Sequence, residues 1–321
     1  MEQVHPSRLQ NFPISWFAMV MGLSGFTIAW HRAETSLELP WGISPVLLVV
    51  TIGIFALLGL CYLAKALRYW PQVRGEFGHP IKLNFFPTIS IGLILVSIAL
   101  LPYNASVSLM VWALGTVLHL AFTLYVLSAW VHHTHFEINH MNPAWFIPIV
   151  GNILVPIAGV HHASPEISWF FFSIGLVFWL VLLTIIFYRM FFHNPLPGKL
   201  LPTLFILIAP PAVGFISWVQ LTGALDSFAR ILYYTAAFLT LMLLTQVQRF
   251  LKLEFFLSWW AYSFPMAAIT IATLLMYAQL QLPFFRGLAM VLLGLLSLLI
   301  AVLLYRTGMA VARREICIEE G

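Results

Sequence analysis

Residues 144–192 read AWFIPIVGNILVPIAGVHHASPEISWFFFSIGLVFWLVLLTIIFYRMFF. Two apolar runs, 144–160 and 168–192, flank a short polar break. The second run holds one charge, Arg189, close to its end. A helix needs about 20 consecutive apolar residues to cross a bilayer, so 168–192 suffices by itself. The first run is shorter and carries Pro148, Gly151, Asn152 and Pro156. Proline lacks the N–H that an interior helical turn uses. The stretch therefore predicts a hairpin of one broken and one regular membrane helix.

The same alternation extends in both directions. Apolar runs between polar breaks predict spans near 12–30, 43–64, 83–101, 107–130, 144–160, 168–192, 200–221, 228–247, 257–279 and 284–305. Of the 321 residues, 61% are hydrophobic and 8% charged, whereas soluble domains carry about 25% charged residues. Lipid must solvate most of such a chain. A transmembrane barrel is a poor alternative, because the runs are long and continuous and do not alternate with period two. The expected fold is an all-α integral membrane protein. Its ten transmembrane helices would form five hairpins within a single domain over 1–321, with short tails about 1–11 and 306–321.

Basic residues test the count independently. Arg8, Lys65, Arg68, Arg74, Lys82, Arg189, Lys199, Arg249, Lys252, Arg306, Arg313 and Arg314 fall on the side shared with the N-terminus. Only Arg32, Arg230 and Arg286 fall opposite. Cytoplasmic loops carry the excess of Lys and Arg, so both termini are expected in the cytoplasm. The net charge of +4 thus reports orientation, not nucleic-acid binding. Cys61 and Cys317 are too few for a disulfide framework, and no cleaved signal segment is expected.

Prolines divide the spans into two classes. They lie within or near the third (Pro87), fifth (Pro148, Pro156), seventh (Pro202, Pro210, Pro211) and ninth (Pro265) spans, and the first carries Pro13, Gly22 and Gly25. The even spans have almost none. Irregular backbone is tolerated at membrane depth where protein buries it or it lines a cavity. Five kinked odd-numbered helices around a central path, with five straight ones outside, is the economical arrangement. The competing reading is that proline is simply commoner in membrane helices.

No Asp, Glu, Lys or Arg falls at the middle of a predicted span. Intramembrane charges usually mark proton relays or ion-coupled transport, so their absence disfavours a pump. Weak polar binding suits a channel, because a permeant ion must also leave. His119 is the one titratable group well inside a span; its plainer role is a hydrogen bond to a neighbouring helix, its sharper one proton sensing. The loop histidines His132, His133, His135 and His140, and His161 and His162 opposite, are expected to meet water. Their spacing fits no zinc ligand set, and no convincing pair for haem ligation is present. Neither metal nor cofactor is expected, and no nucleotide-binding or hydrolase motif occurs. In SWWAYSFPM, residues 258–266, Phe264 directly precedes Pro265. A ring beside a bend in a pore-lining helix can form a hydrophobic constriction, although from physics alone simple packing accounts better for these aromatics.

Here the sequence resembles the tellurite-resistance/dicarboxylate transporter family, which includes plant slow-type anion channels and the bacterial tellurite-resistance channel. The resemblance is carried by WWAYSFPMAAITIAT (259–273), Val150-Gly151-Asn152, Ala209-Pro210-Pro211, His79-Pro80 with Asn84-Phe85-Phe86, and Gly22-Leu23-Ser24. It runs over essentially the whole chain. It implies a homotrimer in a bacterial cytoplasmic membrane, with one pore per subunit lined by the kinked odd helices. It further implies occlusion by the phenylalanine before the ninth-span proline, which is Phe264, with Pro87, Pro156, Pro210, Pro211, Pro265 and Gly22 at the kinks. Ala18 replaces a glycine common in the family's first helix, and phosphorylation control through long tails is not expected. The expected function is passive conduction of small anions such as chloride or nitrate. The alternatives are a proton-linked carrier of a dicarboxylate or sulfite and, least favoured, a haem enzyme.

Overall fold

Ten helices long and apolar enough to cross a membrane run through the computed structural model, which describes residues 8–132 and 136–317. The spans are Ile14–Ser36, Ile43–Arg68, Lys82–Leu100, Ala105–His132, Pro143–His162, Pro165–Phe192, Gly198–Thr222, Ser227–Leu244, Leu257–Leu280 and Pro283–Ala312. No strand occurs among the described residues. Every span predicted from the apolar runs is present.

The two classes of span differ in local structure. Each odd span starts with 3₁₀ turns: Ile14–Trp16, Lys82–Phe85, Pro143–Phe146, Gly198–Ile208 and Leu257–Tyr262. Each then continues as an α-helix, namely α1 (Phe17–Ser36), α4 (Pro87–Leu100), α6 (Ile147–His162), α8 (Ala209–Thr222) and α11 (Ser263–Leu280). The even spans are uninterrupted: α2 (Ile43–Arg68), α5 (Ala105–His132), α7 (Pro165–Phe192), α9 (Ser227–Leu244) and α12 (Pro283–Ala312). Most of the prolines stand at the change from 3₁₀ to α. Pro87, Pro148 and Pro210 occupy the first helical positions of their α segments, where proline's fixed φ suits the helix. Pro156 alone interrupts the interior of an α segment. The expected bends are therefore mainly junctions near one membrane face.

Packing follows the same division. α1, α4, α6, α8 and α11 contact one another in a closed ring, α11 returning to α1. Each inner helix also packs on the outer helix that follows it, which produces five hairpins. Over the most apolar part of each span, 78–89% of residues are buried in the odd set and 22–39% in the even set. The outer helices thus give a wide face to lipid, and the inner five are enclosed by protein. Several hydroxyls inside the ring bond to the preceding turn, as Thr27 does to the Leu23 carbonyl (2.9 Å) and Thr270 to that of Met266 (2.7 Å).

Two short helices are not legible as apolar runs, α3 (Trp70–Gly78) and α10 (Val247–Leu251). α3 is fixed by a buried ion pair, Lys65 Nζ to Glu76 Oε2 at 3.0 Å. The Glu76 carboxylate also accepts from Tyr62 OH (2.7 Å) and the Ile14 N–H (3.4 Å), and Lys65 donates to the Phe12 carbonyl (2.8 Å). The first helix runs past the expected end to Ser36 and includes Arg32 and Glu34. Glu34 is accommodated because it accepts from the Ile43 and Ser44 backbone and the Ser44 hydroxyl, closing the turn into α2.

Candidate functional site

The ring encloses a cavity at the level where 3₁₀ turns give way to α-helix. All five odd spans contribute to its wall, with Met21, Ile91, Val150, Ile206 and Phe264 among the lining residues. Phe85, Trp260, Ala261 and Pro265 join them at the junctions, and Ala18 adds a second contribution from α1. Every lining side chain is aliphatic or aromatic. The cavity measures about 40 Å³, room for roughly three waters. With no polar partner on its wall, such a space does not hold water well.

Phe264 is the second residue of α11, and its ring is 6% exposed. Its position depends on α1 approaching closely. A Cβ at Gly25 would stand 3.3 Å from the Phe264 ring and 2.8 Å from Ala267 Cβ, so a side chain there would displace the phenylalanine. One turn earlier, a Cβ at Gly22 would overlap Ser263. Gly22 is therefore a contact between α1 and α11 and does not face the cavity. The 3₁₀ turn before Phe264 is anchored by Trp260 Nε1 donating to Thr307 Oγ1 of α12 (3.0 Å) and by Ser263 Oγ donating to the Trp260 carbonyl (2.5 Å).

Of the residues singled out from sequence, Phe264, Pro265 and Ala18 line the cavity, as do Phe85, Val150, Ala209, Trp260 and Ala261 from the stretches that carry the resemblance. Pro87, Pro156, Pro210 and Pro211 are not among its lining residues. They shape the segments that carry Phe85, Ile91, Leu154, Ile206 and Ala209 into the wall. The contributions of Met21, Ile91 and Ile206 are not apparent from sequence, since nothing separates a pore-facing aliphatic residue from a packed one when both are apolar.

A polar seam lies behind the wall. His119 of α5 is fully buried, and its Nδ1 shares a hydrogen bond with Ser90 Oγ of α4 (2.9 Å). Its ring occupies the space where a Cβ at Gly151 would lie. Thr123 Oγ1 and Asn152 Nδ2 both donate to the Pro148 carbonyl (2.9 and 3.1 Å). This is the plainer of the two roles open to His119. His162 differs from expectation: it closes α6, half-buried, with Nε2 2.8 Å from Ser108 Oγ, because the helix outlasts the apolar run. His140 caps a short turn by accepting from the Glu137 N–H (3.1 Å). His133 and His135 lie outside the described residues.

The chain is 31% identical over 276 residues to the S-type anion channel SLAH2 of Arabidopsis thaliana, covering 83% of this chain and 53% of the plant protein. With SLAH3 of the same plant it shares 29% over 273 residues, covering 83% and 43%. The chain thus spans about half the length of these plant relatives. It is also 24% identical over 265 residues to the tellurite resistance protein TehA homolog of Haemophilus influenzae, covering 80% and 79%. The profile of the SLAC1 family, described as voltage-dependent anion channel, matches residues 11–308. All ten spans but the last few residues of α12 fall within that match, and the chain belongs to this family.

Proposed function

We propose that the chain is a passive anion channel whose pore is the axis of the five-helix ring and whose gate is Phe264. The observation that supports this most directly is the apolar cavity to which all five odd spans contribute and whose wall includes the Phe264 ring. A hydrated anion entering so small an apolar space would lose its water without gaining donors, and hydrophobic constrictions of this kind gate by dewetting. Movement of the ring would open the path. Conduction would then be governed by backbone N–H groups near the junctions and by the general positive potential. Pro87, Pro156, Pro210, Pro211 and Pro265 keep the wall at its diameter, and Gly22 lets α1 close on α11.

On the same reading the chain is one transmembrane unit, with both termini in the cytoplasm of a prokaryotic cell, assembled as a homotrimer with one pore per subunit. Small anions such as chloride and nitrate are the expected permeants, in keeping with the plant relatives, which are S-type anion channels.

The test is a planar-bilayer recording of purified protein with different anions on the two sides. Phe264→Ala is expected to raise anion current at least tenfold, with an ohmic relation reversing at the anion equilibrium potential. Unchanged current in a variant of confirmed assembly would remove Phe264 from the gate. Flux that saturates and collapses with the proton gradient would identify a carrier instead.

A further inference from the structure

The side of the molecule away from the termini carries three basic residues, Arg32, Arg230 and Arg286. Two of them line a single polar pocket. Arg32 enters it from the end of α1 and Arg286 from the start of α12, with Tyr277 and Gln281 from the end of α11. Glu38 also borders it, so the charged lining amounts to two positive groups against one negative. Among the described residues, neither guanidinium has a hydrogen-bond or ion-pair partner. The carboxylate nearest Arg32 in sequence, Glu34, is committed to Ile43 and Ser44. Gln281 spends its amide on the Ala278 carbonyl (3.0 Å). A half-buried charge without a partner is costly unless a counter-charge or water compensates it.

The pocket and the central cavity share no lining residue, but both draw on α1 and α11. Met21 lines the cavity and Arg32 the pocket, and both belong to the unbroken α1. Their separation of about three helical turns places them on one face, ~16 Å apart along the axis. Phe264 and Ala278 stand in the same relation on α11, about four turns apart.

The geometry points to this pocket as an anion-capturing site at the far mouth of the path, taking a small planar oxyanion such as a carboxylate or nitrate. Guanidinium groups present a planar fork of donors that matches such anions and has no comparable complement in a halide. The Tyr277 hydroxyl adds a neutral donor. Attraction by the two arginines would raise the local anion concentration where ions arrive or leave. The placement at a conduction mouth rests on the channel reading; the capacity to bind an anion does not.

The test begins with binding. Thermal unfolding of the purified protein is followed as sodium formate, nitrate or chloride replaces a bulky sulfonate at constant ionic strength. Formate and nitrate should stabilise saturably and at lower concentration than chloride. In Arg32→Gln/Arg286→Gln the half-saturating concentration should rise about tenfold. Arg32→Lys should keep the chloride response and lose the oxyanion preference. The second arm records formate current from the far side in a Phe264→Ala background, where neutralising both arginines should reduce current several-fold at low concentration and little at saturation. Stabilisation by formate that is equal in wild type and double variant overturns the site. Intact binding with full current in the double variant overturns its place at the mouth. Should the double variant fail to fold, Arg286→Gln alone, at an exposed position, must give a threefold or larger loss of binding. Binding lost on neutralisation, with no anion current in any variant, retains the site and overturns the channel reading instead.

Discussion

At the scale of single residues, the informative contrasts are among glycines. Gly25 faces Ala267 and the Phe264 ring across the contact between α1 and α11, whereas Gly294 faces lipid from α12 with nothing within 4 Å of a built Cβ. Gly25→Ala forces two backbones apart and should destabilise the protein by about 1–3 kcal/mol, the usual range for overpacking. Gly294→Ala adds a better helix former in open space and should be neutral or stabilising by up to about 1 kcal/mol. Denaturation midpoints in detergent check both, and equal losses would show that the α1–α11 contact is not the close one described. A ring directly before a proline is a local pattern that draws attention to Phe264, but physics alone favours packing for it, and its expected role comes from the family resemblance. The contact of Phe264 with Gly25 is not legible in the sequence, since it joins residues far apart in the chain and depends on which helices adjoin. His119 shows the same limit. Its isolation in an apolar run is plain, but Ser90 Oγ as its partner requires the fold.

At the scale of elements, proline position should decide the response to its removal. Pro87 stands in the first turn of α4, where its fixed φ suits the helix and the interior of the α segment is untouched. Pro87→Ala should therefore change stability by less than about 1 kcal/mol. Lys65 and Glu76 behave differently, because their side chains are 2% and 8% exposed and they join α2 to α3. Glu76→Ala leaves a buried ammonium unpaired and should cost about 3–5 kcal/mol. Lys65→Met/Glu76→Leu should recover much of that loss, though Tyr62 OH and the Ile14 N–H still lose their acceptor. A double variant no better than Glu76→Ala would place the loss in packing of α3 and not in the charge. The ten spans are legible because long apolar runs in a chain so poor in charge have little use except to cross lipid. The 3₁₀ lead-ins and α3 are not. A 3₁₀ turn differs from α by one hydrogen-bond step and leaves no hydropathy signature, and α3 is polar enough to read as a loop.

At the scale of the whole molecule, an even number of spans puts both termini on one side whatever the details of packing, and the structure adds independent features to that side. It also carries the 3₁₀ lead-ins, α3, α10 and the loop around Lys252, which hold Arg74, Lys82, Lys199, Arg249 and Lys252 of the twelve basic residues on that side. The opposite side has tight connections and the three arginines. The proposed orientation rests on this asymmetry, because Lys and Arg accumulate in cytoplasmic loops. Ala224, in the exposed turn between α8 and α9, and Lys252, exposed after α10, report the two sides. The native thiols, Cys61 and Cys317, are free and are first replaced by serine. In intact cells a membrane-impermeant maleimide should then label Ala224→Cys and leave Lys252→Cys unreacted until the membrane is permeabilised. The reverse pattern would invert the molecule and turn the arginine pocket towards the cytoplasm. Labelling of both in intact cells would leave no net crossing between them and would contradict α9 as a span. Only the first pattern lets the Arg32–Arg286 pocket meet anions arriving from outside while the Phe264 constriction lies nearer the cytoplasmic end of the same ring.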